Sequence, residues 1–303
     1  MAYSSGTRLP FESASKLGHL KVIESEWVNS LIKDFETNDL MDMYEYNEEL
    51  WHTFDDLTVS PLRHIWVSDG SYVPVSENKK ELAFVKTALM TIEQSKIAAI
   101  DKEFPHPILM QDIMQDSALF HATVFPLKNL KSSKGNIYNT VRNIIFDSMK
   151  CDENGIYFET LKWIAYRKWS DKKVNSPSFE CPHCGKKIEN GMEYDKDKSV
   201  CPFCSKEVLL TDMIGFHLDM NEDNAPIAVA SSYMLVMELL MLFTVIRLHW
   251  SNKDKSLVSE TLYIKDGPMT LGRQYSKLVP SIRSFLQYAK EQNRPIHIMG
   301  CEK

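Results

Sequence analysis

The chain has 303 residues, 44% hydrophobic and 11% aromatic, enough for one large globular core or two smaller ones, so disorder is not the expected state. A formal net charge of -6 excludes a basic footprint over the whole protein, and any contact with a phosphate backbone has to use a local patch or a bridging cation. Four of the six cysteines fall in two Cys-x-x-Cys pairs while Cys151 and Cys301 stand alone, a pattern that fits metal binding in a reducing, cytoplasmic setting better than a disulfide framework.

Residues 1–12 lack a basic stretch followed by an apolar run, so no export signal is expected. Leu20, Ile23, Trp27, Leu31 and Phe35 recur at helical spacing and predict an amphipathic helical extension over residues 1–58. In 64–75 the period changes, with Ile65 and Val67 alternating with polar neighbours, and Asp69-Gly70-Ser71 reads as a turn that ends or bends a strand. Leu82, Val85, Leu89 and Ile92 then predict a helix over 81–100, and the stretch to Trp169 mixes helical and extended signals. A polar, lysine-rich run at 171–177 introduces the cysteine module.

Residues 225–246 are apolar or small except for Glu238, and about 20 such residues suffice to span a bilayer. An ionised carboxylate near the middle would cost roughly 2.5 to 3.5 kcal/mol there, and Pro226, Ser231 and Ser232 interrupt the first third. A helix buried in a soluble core is the expectation, with a membrane span as the alternative. Finally, 261–264 reads as a strand ending at Asp266-Gly267-Pro268, 278–289 as an amphipathic helix and 295–299 as a strand. This β-α-β unit predicts an α/β fold with a mostly parallel or mixed sheet flanked by helices.

Cys181-Pro182-His183-Cys184-Gly185 and Cys201-Pro202-Phe203-Cys204 are separated by 16 residues, the spacing of two knuckles folded onto one tetrahedral Zn²⁺. Four sulfurs close the coordination sphere, so Cys181, Cys184, Cys201 and Cys204 form a structural site and not a catalytic one. His183 can replace a thiolate but does not need to. Lys186, Lys187, Lys196 and Lys198 allow a DNA contact, though their acidic neighbours point to a solvated face.

Two strand-like segments each end in Asp-Gly, at Asp69 and Asp266, and Glu238 is a lone acid in an apolar helix. Asp-Gly alone is mostly a turn signal. Together, a buried acid that must be paired, protonated or metal-bound and two strand-end aspartates can make a hard oxygen site for Mg²⁺ or Mn²⁺. Such a site serves phosphodiester hydrolysis.

On these residues the chain resembles the NurA family of nucleases. The matching pieces are Ser13-Ala14-Ser15-Lys16-Leu17-Gly18-His19, Ser68-Asp69-Gly70-Ser71, Glu238 in its apolar helix, Lys265-Asp266-Gly267-Pro268-Met269, and Gly300-Cys301-Glu302-Lys303. The Cys-Pro-x-Cys module, Leu210-Thr211-Asp212 and His217 resemble the zinc-bearing branch of these proteins. The resemblance implies an RNase H-like nuclease domain in two parts, 59–170 and 213–303, around a zinc ribbon at 171–212. It also implies a Mn²⁺- or Mg²⁺-dependent DNA nuclease that forms a homodimer and docks on a HerA-type hexameric ATPase, in DNA end processing, break repair or antiphage defence. By position Asp69 and Asp266 correspond to the family's aspartate ligands and Glu238 to its helical glutamate. Family members continue beyond the point matching Lys303 with a late acidic or histidine active-site residue, which this chain is expected to lack. The competing reading is a catalytically inactive zinc-ribbon adaptor that docks a DNA motor, in which the three acids lie apart.

Overall fold

The computed structural model describes residues 62–92, 118–130, 135–222 and 224–302, all within the compact unit Ser60–Lys303. The expected N-terminal helix and the motif at 13–19 lie outside the described residues.

The frame is a five-stranded mixed sheet, built from β1 (His64–Glu77), β2 (Lys80–Ile92), β3 (Ala118–Lys128), β8 (Thr261–Asp266) and β9 (His297–Cys301), in the order β3-β2-β1-β8-β9. β2 runs antiparallel to β1 and β3, whereas β8 is parallel to β1 and β9 is parallel to β8. The expected β-α-β unit is present, with α4 (Val279–Glu291) carrying the chain from β8 to β9.

The structure departs from two of the sequence expectations. Residues 80–92 form a strand and not a helix: Ala83, Val85, Thr87 and Leu89 are buried while Phe84 and Lys86 are exposed, a period of two. Leu82, Val85 and Leu89 satisfy the helical period as well, so spacing alone could not separate the two. Asp69-Gly70 is not a turn either, because β1 continues unbroken through it to Glu77. The chain reverses at Asn78 and Lys79, with φ of 49° and 65°, giving a two-residue hairpin closed by Glu77 opposite Lys80.

The described helices lie on one face of the sheet. α1 (Ile137–Cys151) and α2 (Ile156–Ala165) precede the cysteine module, and α3 (Ile227–Ser251) follows it and packs on β1, β2 and β8. α3 is long and apolar enough to cross a membrane, yet 78% of its most apolar window is buried within the fold. Its Tyr233 hydroxyl meets His121 of β3 at 2.8 Å and Ser148 of α1 at 2.9 Å, tying three elements together. Phe285 of α4 sits among Trp163, Trp169, Phe243 and Trp250, with ring centroids 4.6 to 6.4 Å away. On the opposite face Val73, Phe84 and Val124 lie side by side across β1, β2 and β3 and are exposed.

His249, near the end of α3, bonds the Tyr263 hydroxyl at 2.7 Å. Burial, with a contribution from His64, pushes its pKa down from 6.5 to about 4. The unfolded chain therefore binds a proton that the folded one refuses, and this stability is complete above pH 6.5 and lost as the pH falls toward 4. Urea unfolding is expected to lose about 1 kcal/mol between pH 6.5 and 5 once solvent screening of this half-buried ring is allowed for, a loss much reduced in His249→Gln.

Candidate functional site

The cysteine module folds as two short hairpins, β4 (Phe179–Glu180) with β5 (Lys187–Ile188) and β6 (Lys198–Val200) with β7 (Glu207–Leu209). Each carries a knuckle of the same build. Cys181 N–H donates to the Lys186 carbonyl and Cys201 N–H to that of Lys206, both at 2.9 Å. Gly185 and Ser205, both at positive φ, turn the chain back and donate to the carbonyls of Cys181 and Cys201. The backbone N–H groups of His183 and Phe203 point at the Cys181 and Cys201 sulfurs, at 3.4 and 3.5 Å.

Ligand geometry follows from this backbone. A tetrahedral zinc with bonds of about 2.3 Å sets its sulfurs about 3.8 Å apart. The Cys181–Cys204 and Cys184–Cys201 sulfurs are 3.8 and 3.9 Å apart, and all four lie within 4.8 Å of one another. Burial pushes the Cys181 thiol up to about 12, whereas at Cys201 burial is outweighed by the backbone N–H groups of Phe203 and Cys204, which lower it to about 7. A bound cation is therefore what would hold Cys181 as a thiolate beside the others. The four cysteines can therefore hold a metal such as zinc. His183 is directed elsewhere, with its Nε2 2.8 Å from the Glu207 carbonyl.

The ribbon is fastened to the helices by charge. Arg142 of α1 clamps Asp212 with two bonds of 2.7 and 2.8 Å and donates to the Glu207 carbonyl at 2.9 Å. Lys162 of α2 reaches Asp195 and Asp197, each at 2.8 Å, while Lys150 and Lys168 reach Asp197 and Asp195 at 2.6 Å. On the ribbon surface Lys187 pairs with Glu189, Lys198 with Glu207, and Lys186 lies over the Phe203 ring. These contacts favour a solvated, internally paired face over a basic DNA patch.

An open pocket of about 560 Å³ separates the first knuckle from the start of α1, lined in part by Asn136, Tyr138, Glu180, Pro182 and His217. His217 is buried in its wall, and burial lowers its pKa, which keeps the ring neutral. None of the three acids lines this pocket.

Those acids gather at the junction of β1, β8 and α3. Ser68 and Lys265 form the last register pair of the parallel β1–β8 ladder, and Asp69 and Asp266 are the next residue on each strand. Glu238 reaches the same level from α3: a Cβ placed on Gly70 would lie 2.6 Å from Glu238 Oε1 and 2.6 Å from Met234 Cγ. Gly70 is thus required by the close approach of helix to strand, which is why an Asp-Gly pair stands in mid-strand.

The three carboxylates do not share one metal shell. Among the described residues only the four cysteines bring three or more such ligand atoms together. Gly70 and Lys265 face α3, so strand alternation points Asp69 and Asp266 toward the other face, where Asp69 is exposed and Asp266 half-buried. Glu238, 2% exposed, is instead ion-paired at 2.7 Å to Lys265, which is 1% exposed. Burial raises the Glu238 pKa, Lys265 opposes this, and the charges of Asp69 and Asp266 both add to the rise. The acids are electrostatic neighbours, but the expected convergence on a single point is replaced by an internal ion pair. Lys265 was not identifiable as its partner from sequence, where it reads as one more strand lysine beside an aspartate. No protein-family model, curated protein or solved structure matches the chain.

Proposed function

We propose that this chain is a divalent-metal-dependent DNA nuclease subunit of the NurA type, with its sheet an RNase H-like one. The observation that carries the reading is the placement of Asp69 and Asp266, each next in line after the last register pair of two adjacent parallel strands. The sheet order agrees, since an antiparallel meander extended beside β1 by two parallel strands is how an RNase H-like sheet is built.

Asp69 and Asp266 supply hard oxygen donors that fit Mn²⁺ or Mg²⁺ and not a soft thiophilic ion. Glu238 lies within the field of both charges but is held against Lys265 on the helix side of the sheet, so it acts on the two aspartates through its charge and not as a shared ligand. Such an ion, when bound, would activate water and neutralise charge on a phosphodiester. The chain's own part is to present Asp69 on the more open face of the sheet and to hold Glu238 against a buried lysine. The cysteine site is a structural Zn²⁺ site, because four sulfurs leave no position for water. The remaining features are carried by the family resemblance alone: a cytoplasmic homodimer docked on a HerA-type hexameric ATPase, in DNA end processing, break repair or antiphage defence.

A second reading is favoured by one specific observation. Glu238 has a counter-charge in Lys265 without any metal, which suits an inactive zinc-ribbon adaptor for a DNA motor. Cleavage of linear duplex and single-stranded DNA in Mn²⁺, with and without the co-purified ATPase, separates the two. Under the nuclease reading Asp69→Ala and Asp266→Ala each lower the rate at least about 100-fold while the folded chain retains its zinc. Equal cutting by wild type and both variants would abandon the nuclease assignment.

A further inference from the structure

Lys265 occupies a position where a lysine is costly. It stands at an inward-facing point of β8, 1% exposed, and removing an ammonium from water costs several kcal/mol unless it is paired and hydrogen-bonded. Its Nζ is 2.7 Å from Glu238 Oε2, and the same Nζ donates to the Asp266 backbone carbonyl at 2.7 Å. Neutralising a buried glutamate needs only the first of these. The second fixes the peptide leaving Asp266, at the point where the strand becomes a loop.

That peptide is held from its other side as well. Gly267, at φ 76°, donates its N–H to the Cys301 carbonyl at 2.7 Å. The loop after it lies so close to β9 that a Cβ on Gly300 would stand 2.5 Å from the Gly267 carbonyl oxygen and 2.8 Å from the Met269 nitrogen. With Lys265 on one side and β9 on the other, the backbone on which the Asp266 carboxylate is mounted has little freedom to turn.

We infer that Lys265 is a positioning residue for Asp266, its ammonium linking the buried Glu238 carboxylate to the Asp266 main chain and so setting where the Asp266 side chain is presented. The inference rests on the nuclease reading, in which Asp266 is a metal donor. Partners that orient a metal ligand commonly contribute 10- to 100-fold to affinity, which sets the scale of the expected effect.

The test compares two variants of the full chain in which residue 238 carries no charge: Glu238→Gln alone, and Glu238→Gln with Lys265→Met. With glutamine at 238 neither variant strands a buried carboxylate. The single variant keeps a Lys265 ammonium without its counter-charge and the double variant removes it, a change that by itself favours a nearby cation, so weaker binding in the double variant reports the lost hold on Asp266. Mn²⁺ binding is read by electron paramagnetic resonance, with thermal unfolding as the check on folding. The expected result is Mn²⁺ binding about tenfold weaker in the double variant, which melts no lower than the single variant because it has lost a buried ammonium without a counter-charge. Equal Mn²⁺ affinity overturns the inference while leaving the nuclease reading in place. If the wild type itself binds no Mn²⁺ that Asp69→Ala abolishes, the nuclease reading fails and the inference falls with it. A double variant that melts far below the single one also overturns it, because Lys265 would then be a folding residue.

Discussion

Replacing Cys201 with serine, or stripping the metal with a strong chelator, is expected to lower the melting temperature by about 10 °C or more and to release the segment 179–209. The hairpins of the ribbon are strands of two or three residues, far too short to persist on their own ladder bonds. Metal binding in such modules is folding free energy, roughly 10 to 16 kcal/mol for isolated zinc-finger peptides, most of which the apo ribbon would forgo by unfolding. The loss would not stay local, because Phe179, Met192, Val208 and Leu209 are buried in the common core. For a unit of this size a loss of about 3 to 5 kcal/mol corresponds to a shift of that order. Cys151→Ser is the control, since that thiol is exposed and outside the cluster. Differential scanning calorimetry paired with zinc content checks the claim, and a Cys201→Ser chain that melts like wild type would remove the structural role assigned to the ribbon.

How far the sequence could be read depended on whether local chemistry or tertiary contact decided each element. The knuckles were legible because metal geometry dictates both residue type and spacing, and the observed sulfur separations follow from it. β8, α4 and β9 were legible because each has a clean period and is bounded by Asp-Gly or Pro signals. β2 was not, since Leu82, Val85 and Leu89 serve two periods and only the pairing with β1 and β3 selects one. The hairpin at Asn78-Lys79 was hidden because it places a lysine at positive φ where a glycine would have announced the turn. At the acids, the sequence pointed to the right neighbourhood: Asp69 and Asp266 do sit beside each other, and Glu238 is the buried carboxylate of a core helix. What it could not convey was the face each side chain takes, or that Lys265 stands between Glu238 and Asp266. Those facts depend on the register of β8 against β1, and a shift of one residue would exchange the two sets.

The second large effect is expected at Arg142→Met, which should destabilise the unit by about 3 to 5 kcal/mol. Arg142 and Asp212 are 8% and 3% exposed, so losing the guanidinium leaves a carboxylate buried with the Leu209 N–H, at 2.7 Å, as its remaining close donor. The Glu207 carbonyl also loses a donor, and the edge of the second hairpin is freed from α1. If the cost is mainly that stranded charge, the double variant Arg142→Met with Asp212→Asn should recover at least half of it, because an asparagine oxygen can still accept from Leu209 without carrying a charge. Urea unfolding of the two variants measures the difference. The lysine contacts to Asp195 and Asp197 are more exposed and are expected to hold the ribbon in register without replacing this clamp. A single variant as stable as wild type would mean that the metal and the surface lysines suffice to dock the ribbon, and that the buried pair serves specificity of docking and not its strength.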